Sequence, residues 1–246
     1  MIFGFDLKEI FFFPFKDEAA RKNLLLGTLI FLIGMIIPVL PVILITGYAV
    51  QVSKRVLNGE SLQMPPWEDW SSLFKDGLKL FAIRMIYSLP LLIIAIPLML
   101  SSIGLPIFLE TTEGQNQDAL FAIFMVVIMG GLCILIPLSL PLAVIIPAAE
   151  MHAIEQDNFS AAFHFKNWWQ VLRANLGGFI VAFAIYYLAT FAMTFVIQIL
   201  MATVVLACLL IVLLPGVSVY AMLIMYATIA IAYRDGRTKL NTAQAV

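Results

Sequence analysis

The sequence predicts an all-α, polytopic helical membrane bundle with interfacial amphipathic helices and proline-broken membrane helices, on three observations. The first is composition. Of the 246 residues, 63% are hydrophobic and 12% charged, and the mean hydropathy is +1.03, whereas soluble domains use ~45–50% apolar residues. The second is run length. A bilayer core of ~30 Å takes roughly 20 apolar residues per helical span; Leu24–Val50, Leu80–Leu109, Ala119–Ala149 and Leu176–Ala232 all reach that length. The third is the absence of the ~10-residue alternating segments that make membrane β-barrels. The chain reads as one membrane domain, 1–246.

The N-terminus mixes Asp6, Lys8 and Glu9 with Phe11, Phe12 and Phe13, and no cleavable leader is expected there. Leu7, Ile10, Phe11, Pro14 and Phe15 give it a loosely amphipathic character. The first long run is interrupted by Pro38 and Pro41. Proline removes a backbone donor and crowds the turn before it, so this run reads as a re-entrant hairpin in preference to the alternative, a kinked single span, broken backbone being tolerated at membrane depth when other helices bury it.

Next comes the polar stretch PPWEDWSSLFKDGLKL, residues 65–80. Pro65 and Pro66 suit a helix start, with Glu68 and Asp69 in the first turn. Trp67, Trp70, Phe74 and Leu78 follow helical spacing, with Lys75 and Lys79 on the other side. An interfacial helix over 66–78 is expected, its tryptophans at headgroup level. Arg84, about one turn beyond Lys79, is expected to snorkel to the same interface. A similar pattern recurs in Ala161, Phe165, Trp168, Trp169 and Leu172, opposed by Lys166 and Arg173. These residues read as membrane-interface anchors or a partner-docking collar. The third run carries breaks at Pro137 and Pro141. The last is long enough for two helices and contains Pro215.

Topology follows the basic residues. All fourteen lysines and arginines lie outside Glu110–Asp118, the acidic link between the second and third runs. The positive-inside tendency puts that link outside and, with a re-entrant first run, both termini in the cytoplasm of a cell inner (plasma) membrane. Cys133 and Cys208 lie in apolar runs and are expected to pack as small hydrophobes.

Short similarities suggest three modules, 1–60, 61–157 and 158–246. IPVLPVILITGYAV at 37–50 parallels IPLSLPLAVIIPAAE at 136–150 and, more faintly, LPGVSVYAMLIMYA at 214–227. FKDE at 15–18, FKDG at 74–77 and FKNW at 165–168 recur upstream.

GYAVQVSKRVLNGESLQMPPWEDWSSLFKDGLKLFAIRMIYSLP (47–90), preceded by FPFKDE (13–18) and followed by AAFHFKNWWQVLRANLGGFI (161–180), resembles the prokaryotic membrane family named domain of unknown function 4013. The resemblance implies a polytopic bacterial or archaeal membrane protein and implies no activity.

Catalysis inside a membrane leaves ionisable residues within the spans, and apart from Arg84 these runs hold none. Glu150, His152 and Glu155 crowd one helix end, which reads as a solvated terminus. No triad, phosphate loop or paired-cysteine motif occurs, so no catalytic residue, cofactor or metal ligand is expected. Net charge −1 argues against nucleic acid. Two classes remain. One is a non-enzymatic scaffold or accessory subunit, partnered by membrane lipids and by other subunits or itself, with Gly130-Gly131 and Gly177-Gly178 permitting close approach. The other is a permease-like or lipid-handling carrier using proline-broken helices.

Overall fold

The fold is described from a computed structural model covering residues 4–34, 36–111, 117–203 and 208–244. Among these residues the chain is helical and without strands. The helices are α1 (Leu7–Phe12), α2 (Glu18–Ile33), α3 (Val39–Leu57), α4 (Trp70–Thr111), α5 (Gln117–Glu155), α6 (Phe165–Ala174), α7 (Leu176–Met201) and α8 (Leu210–Gln244). Short 3₁₀ turns occupy Phe13–Phe15 and Phe159–Phe163. Five of the described helices, α3, α4, α5, α7 and α8, are long and apolar enough to cross a membrane.

Residues 1–83 and 147–246 form one compact unit; 84–146 form a second. This grouping differs from three consecutive modules, because the first unit joins both ends of the chain. The core of the first unit is built from Ile43–Leu57 of α3, Ala148–Ile154 of α5 and Val219–Tyr233 of α8. Each follows or ends one of the three similar proline-containing stretches. The upstream FKD/FKN motifs do not match in place: the first precedes α2, the second lies inside α4 and the third opens α6. In the second unit, a Cβ on Gly131 would lie 2.3 Å from a Leu98 methyl, which places the two helix legs in contact there.

The first apolar run is two helices. Helix α3 runs back along α2, since Gly34 lies beside Pro41 and Gly27 beside Ile45. Asn23 Nδ2, near the start of α2, donates to Pro65 O beyond the end of α3 at 3.1 Å, so the hairpin returns to the level it left. Pro38 is the N-cap of α3 and Pro41 lies in its first turn, where backbone N–H groups have no helical acceptor to lose. The expected breaks at Pro137, Pro141 and Pro215 do not occur. Pro137 and Pro141 lie inside continuous α5 and Pro215 inside α8. Each removes one hydrogen bond, but in hydrocarbon the flanking backbone must still satisfy itself, and the helix resumes on both sides.

The expected helix over 66–78 is also corrected. Residues 60–69 are irregular, and α4 begins at Trp70 and runs without interruption into the apolar segment. Asp69 Oδ1 caps it by accepting from Ser72 N at 3.0 Å. Pro65 O accepts from Asn23 Nδ2 and Tyr48 Oη, and Trp67 Nε1 donates to Asn23 O, which ties this stretch to α2 and α3, so Trp67 is not on a helix face with Trp70. The buried stripe of α4 is instead Leu73, Asp76, Gly77, Leu80 and Ile83, leaving Trp70, Phe74 and Leu78 exposed. Cys133 and Cys208 are exposed rather than packed.

Helices α3 and α4 meet backbone to backbone. A Cβ on Gly47 would fall 1.8 Å from Leu73 O, and one on Gly77 would fall 1.9 Å from Ile43 O. Neither carbonyl can retreat without unwinding its helix. Gly130 and Gly177, singled out from sequence, face open space. Gly47→Ala and Gly77→Ala should therefore cost about 1–3 kcal/mol or more by forced overpacking. Gly130→Ala and Gly177→Ala should be neutral or stabilising by up to ~1 kcal/mol, alanine being the better helix former. Thermal melts in detergent check this ranking; equal effects at all four sites would dismiss the crossing as a constraint.

Candidate functional site

The polar side chains of the first unit gather where α3 ends, α4 begins, α5 ends and the last third of α8 passes. Lys54 is in the last turn of α3. Its Nζ lies 2.9 Å from Asp76 Oδ2 and 3.5 Å from Asp157 Oδ1. Lys79, one turn beyond Asp76, lies 3.5 Å from Asp76 Oδ1 and 3.2 Å from Asp157 Oδ1. The result is a closed quartet of alternating sign. Asp76 is buried, whereas the Asp157 side chain is 69% exposed. Asp157 lies in the turn after α5 with φ +46°, a left-handed conformation that aspartate tolerates better than most residues.

A second network adjoins it. Tyr226 Oη donates to Glu150 Oε2 at 3.1 Å, and Tyr233 Oη donates to Glu155 Oε2 at 3.0 Å while lying 2.7 Å from His152 Nδ1. Arg237 pairs with Glu155 through one guanidinium nitrogen and donates to Leu57 O at 3.1 Å through another. Glu150 is 1% exposed and His152 8%. The expectation of a solvated terminus is therefore corrected: the end of α5 is buried against α8, whose tyrosines replace water. Asn175, at the start of α7, donates to Ala232 O at 2.8 Å and accepts from Lys239 Nζ at 2.7 Å. Among the described residues, no buried side-chain nitrogen or oxygen lacks a partner, and no three His, Cys, Asp or Glu side chains converge as a metal site.

The aromatic anchors divide. Trp67 is 8% exposed, stacked on Tyr48 with centroids 4.0 Å apart, and its Nε1 donates to Asn23 O at 3.1 Å. Tyr48 Oη donates to Pro65 O at 2.6 Å. The loop before α4 is thus fastened to α2 and α3, which explains why a polar, proline-rich segment sits against apolar helices. Trp168 is fully buried with Nε1 donating to Ala162 O at 2.9 Å, while Trp169 is half-buried and stacks on Phe165. Lys75 and Arg173 are exposed, and Arg84, half-buried, begins the second unit.

A different feature lies toward the other end of α3. Pro38, Pro41 and Val42 of the hairpin face Ile211, Pro215 and Ser218 of α8 across an open cavity of about 280 Å³. Three of the prolines singled out from sequence converge there. Pro137 and Pro141 do not.

Taken together, the apolar helices of spanning length and the polar network at one end define a multi-helix protein built for a membrane. The family of proteins of unknown function DUF4013 matches residues 30–206, and the chain belongs to that family. No curated protein and no solved structure matches it.

The Asp157 carboxyl is held below its usual range, chiefly by the hydrogen bond from Lys79 and then by the charge of Lys54. Its folded pKa is thus lower than the unfolded value of about 3.9. Its contribution to stability is complete above that value and is lost as pH falls through the folded pKa. Exposure limits that contribution to ~0–1 kcal/mol. Asp76→Ala, which leaves two lysines sharing only the exposed Asp157, should cost about 1.5–3 kcal/mol, and Asp157→Asn under ~1 kcal/mol. Denaturant melts at pH 7 and pH 3 check this: the gap between wild type and Asp157→Asn should shrink at the lower pH. An unchanged gap would remove Asp157 from the quartet's energetics.

Proposed function

We propose that this chain is a non-enzymatic scaffold or accessory subunit of an assembly in the cell inner (plasma) membrane, held among lipids and packed against other membrane-protein subunits or a second copy of itself. The observation that supports this best is how the buried polar groups are used. Asp76, Glu150, His152 and Asn175 all bond to other helices or turns of the same unit. In such positions they fix helix register, and unpairing them for chemistry would leave buried charge uncompensated. The exposed Trp70, Phe74 and Phe165 are placed to meet headgroups or a partner. A permease-like or lipid-handling carrier is the second reading, and the proline-lined cavity favours it.

Native mass spectrometry after gentle release from the chain's own membranes tests the choice. A scaffold should appear at one defined mass above that of the 27.3 kDa chain. A lone chain would sink that reading, and a lone chain carrying lipid would favour the carrier.

The proposed topology is multi-pass, with a re-entrant α2–α3 hairpin and cytoplasmic termini. The return of α3 to the level of Asn23, and the approach of Gly4 to Asp235 near the C-terminus, support it. Single cysteines at Lys16 and Asp118, in a variant lacking Cys133 and Cys208, should react differently with an impermeant maleimide. Asp118→Cys should label in intact cells and Lys16→Cys only after permeabilisation. Labelling of Lys16→Cys in intact cells would exclude the re-entrant arrangement.

A further inference from the structure

We infer that the cavity between the α2–α3 turn and the start of α8 is a binding site for one hydrocarbon chain, the acyl chain of a membrane lipid. This goes beyond the scaffold reading and does not depend on it. The floor is made by Pro41 and Pro215, both buried, and the rim by the exposed Pro38, Ile211, Leu214 and Ser218. The walls are apolar apart from that one serine. Its hydroxyl donates to Leu214 O at 2.8 Å, so its proton is already engaged.

The prolines explain both why the cavity exists and what it rejects. Pro215 has no N–H to offer the carbonyl of Ile211 one turn back. The rigid rings of the prolines cannot swing into the gap as a leucine would. The rim therefore offers acceptors but no free side-chain donor. A solute that must accept hydrogen bonds, a carboxylate or phosphate above all, would lose its water there without replacement, at a cost that excludes it. A chain of methylenes loses nothing.

Size and depth agree. At about 30 Å³ for a methylene-sized group, the cavity of about 280 Å³ has room for roughly nine of them. Val42 and Lys54 are separated by twelve residues of α3, about 18 Å of helix. Ser218 and Tyr233 are separated by a similar stretch of α8, about 22 Å. The cavity thus lies well below the charged end, at the depth of lipid tails rather than headgroups. It is half open, so a tail can enter from the side while its headgroup stays with the bilayer.

The test uses the full chain in phosphatidylethanolamine vesicles, where some lipid carries a diazirine near the end of one acyl chain. After photolysis, cross-links should concentrate on the Phe31–Val42 and Leu210–Ser218 peptides above the density on the exposed α7 face around Phe191. Val42→Phe and Ser218→Leu fill the cavity from opposite walls. Each should cut cross-linking at the cavity several-fold and leave that at Phe191 unchanged, which also shows that the variant is inserted and folded. Even labelling of all exposed faces would overturn the site, as would cavity labelling that neither variant reduces. Protection of both cavity peptides from the lipid's carbene would overturn it in favour of a second copy seated there. A chain that proves monomeric would still label here, so loss of the scaffold reading and loss of this one are separable.

Discussion

Where α3 crosses α4, two helix backbones touch with no side chain between them, and much of the first unit takes its dimensions from that distance. Gly47 lies two turns before Lys54 on the same face of α3, and Gly77 sits between Asp76 and Lys79 on α4. With the helices this close at the glycines, Lys54, two turns on, reaches Asp76 at 2.9 Å. The quartet then closes on Asp157 and ties the end of α5 to the same place. Tyr48, next to Gly47, meets the loop that leads into α4 and holds Trp67 by stacking. A methyl group at either glycine would disturb a contact, an ion quartet and an aromatic stack together.

The polar groups show how a chain this apolar keeps charge without losing stability. A buried carboxylate is tolerable only when opposite charge or donors surround it. Asp76 has two lysines, and Glu155 has an arginine and a tyrosine. All sit at helix ends. Arg237 also supplies a donor to Leu57 O at the C-terminus of α3, where helical carbonyls have no internal partner. Charge is thus concentrated at one level of the unit, and the rest of its length is left to packing.

What could be read from the sequence depended on how far apart the interacting residues lie. Composition and run length led to an all-α membrane fold because each span carries its own signal. The first run's division at Pro38 was legible for the same reason, and the motifs at 47–90 and 161–180 pointed to the family. The Gly47–Gly77 contact was not legible, since two glycines thirty residues apart show no periodicity. The burial of Glu150 and His152 was missed because Tyr226 and Tyr233 lie 76 and 81 residues away. Trp67 was misplaced likewise: its spacing from Trp70 fits a helix, but it is held by Tyr48 and Asn23, 19 and 44 residues away. Pro137, Pro141 and Pro215 misled in the opposite direction, because a bilayer enforces helix where water would let it end.

The discontinuous first unit has a consequence for how the chain is made. Residues 1–83 leave the ribosome first, yet α2, α3, α6 and α7 all pack on α8, the last helix. At ~5–20 residues per second, the early helices wait on the order of ten to thirty seconds for it. Lys54 has Asp76 within reach well before Asp157 is made, and until α8 arrives the faces of α2 and α3 that it will cover are bare to lipid. Contacts so distant in sequence are also slow to form. A nascent chain in this condition is exposed to membrane proteases and to neighbouring hydrophobic segments, so the thirty-five residues of α8 decide whether the helices made before it are kept.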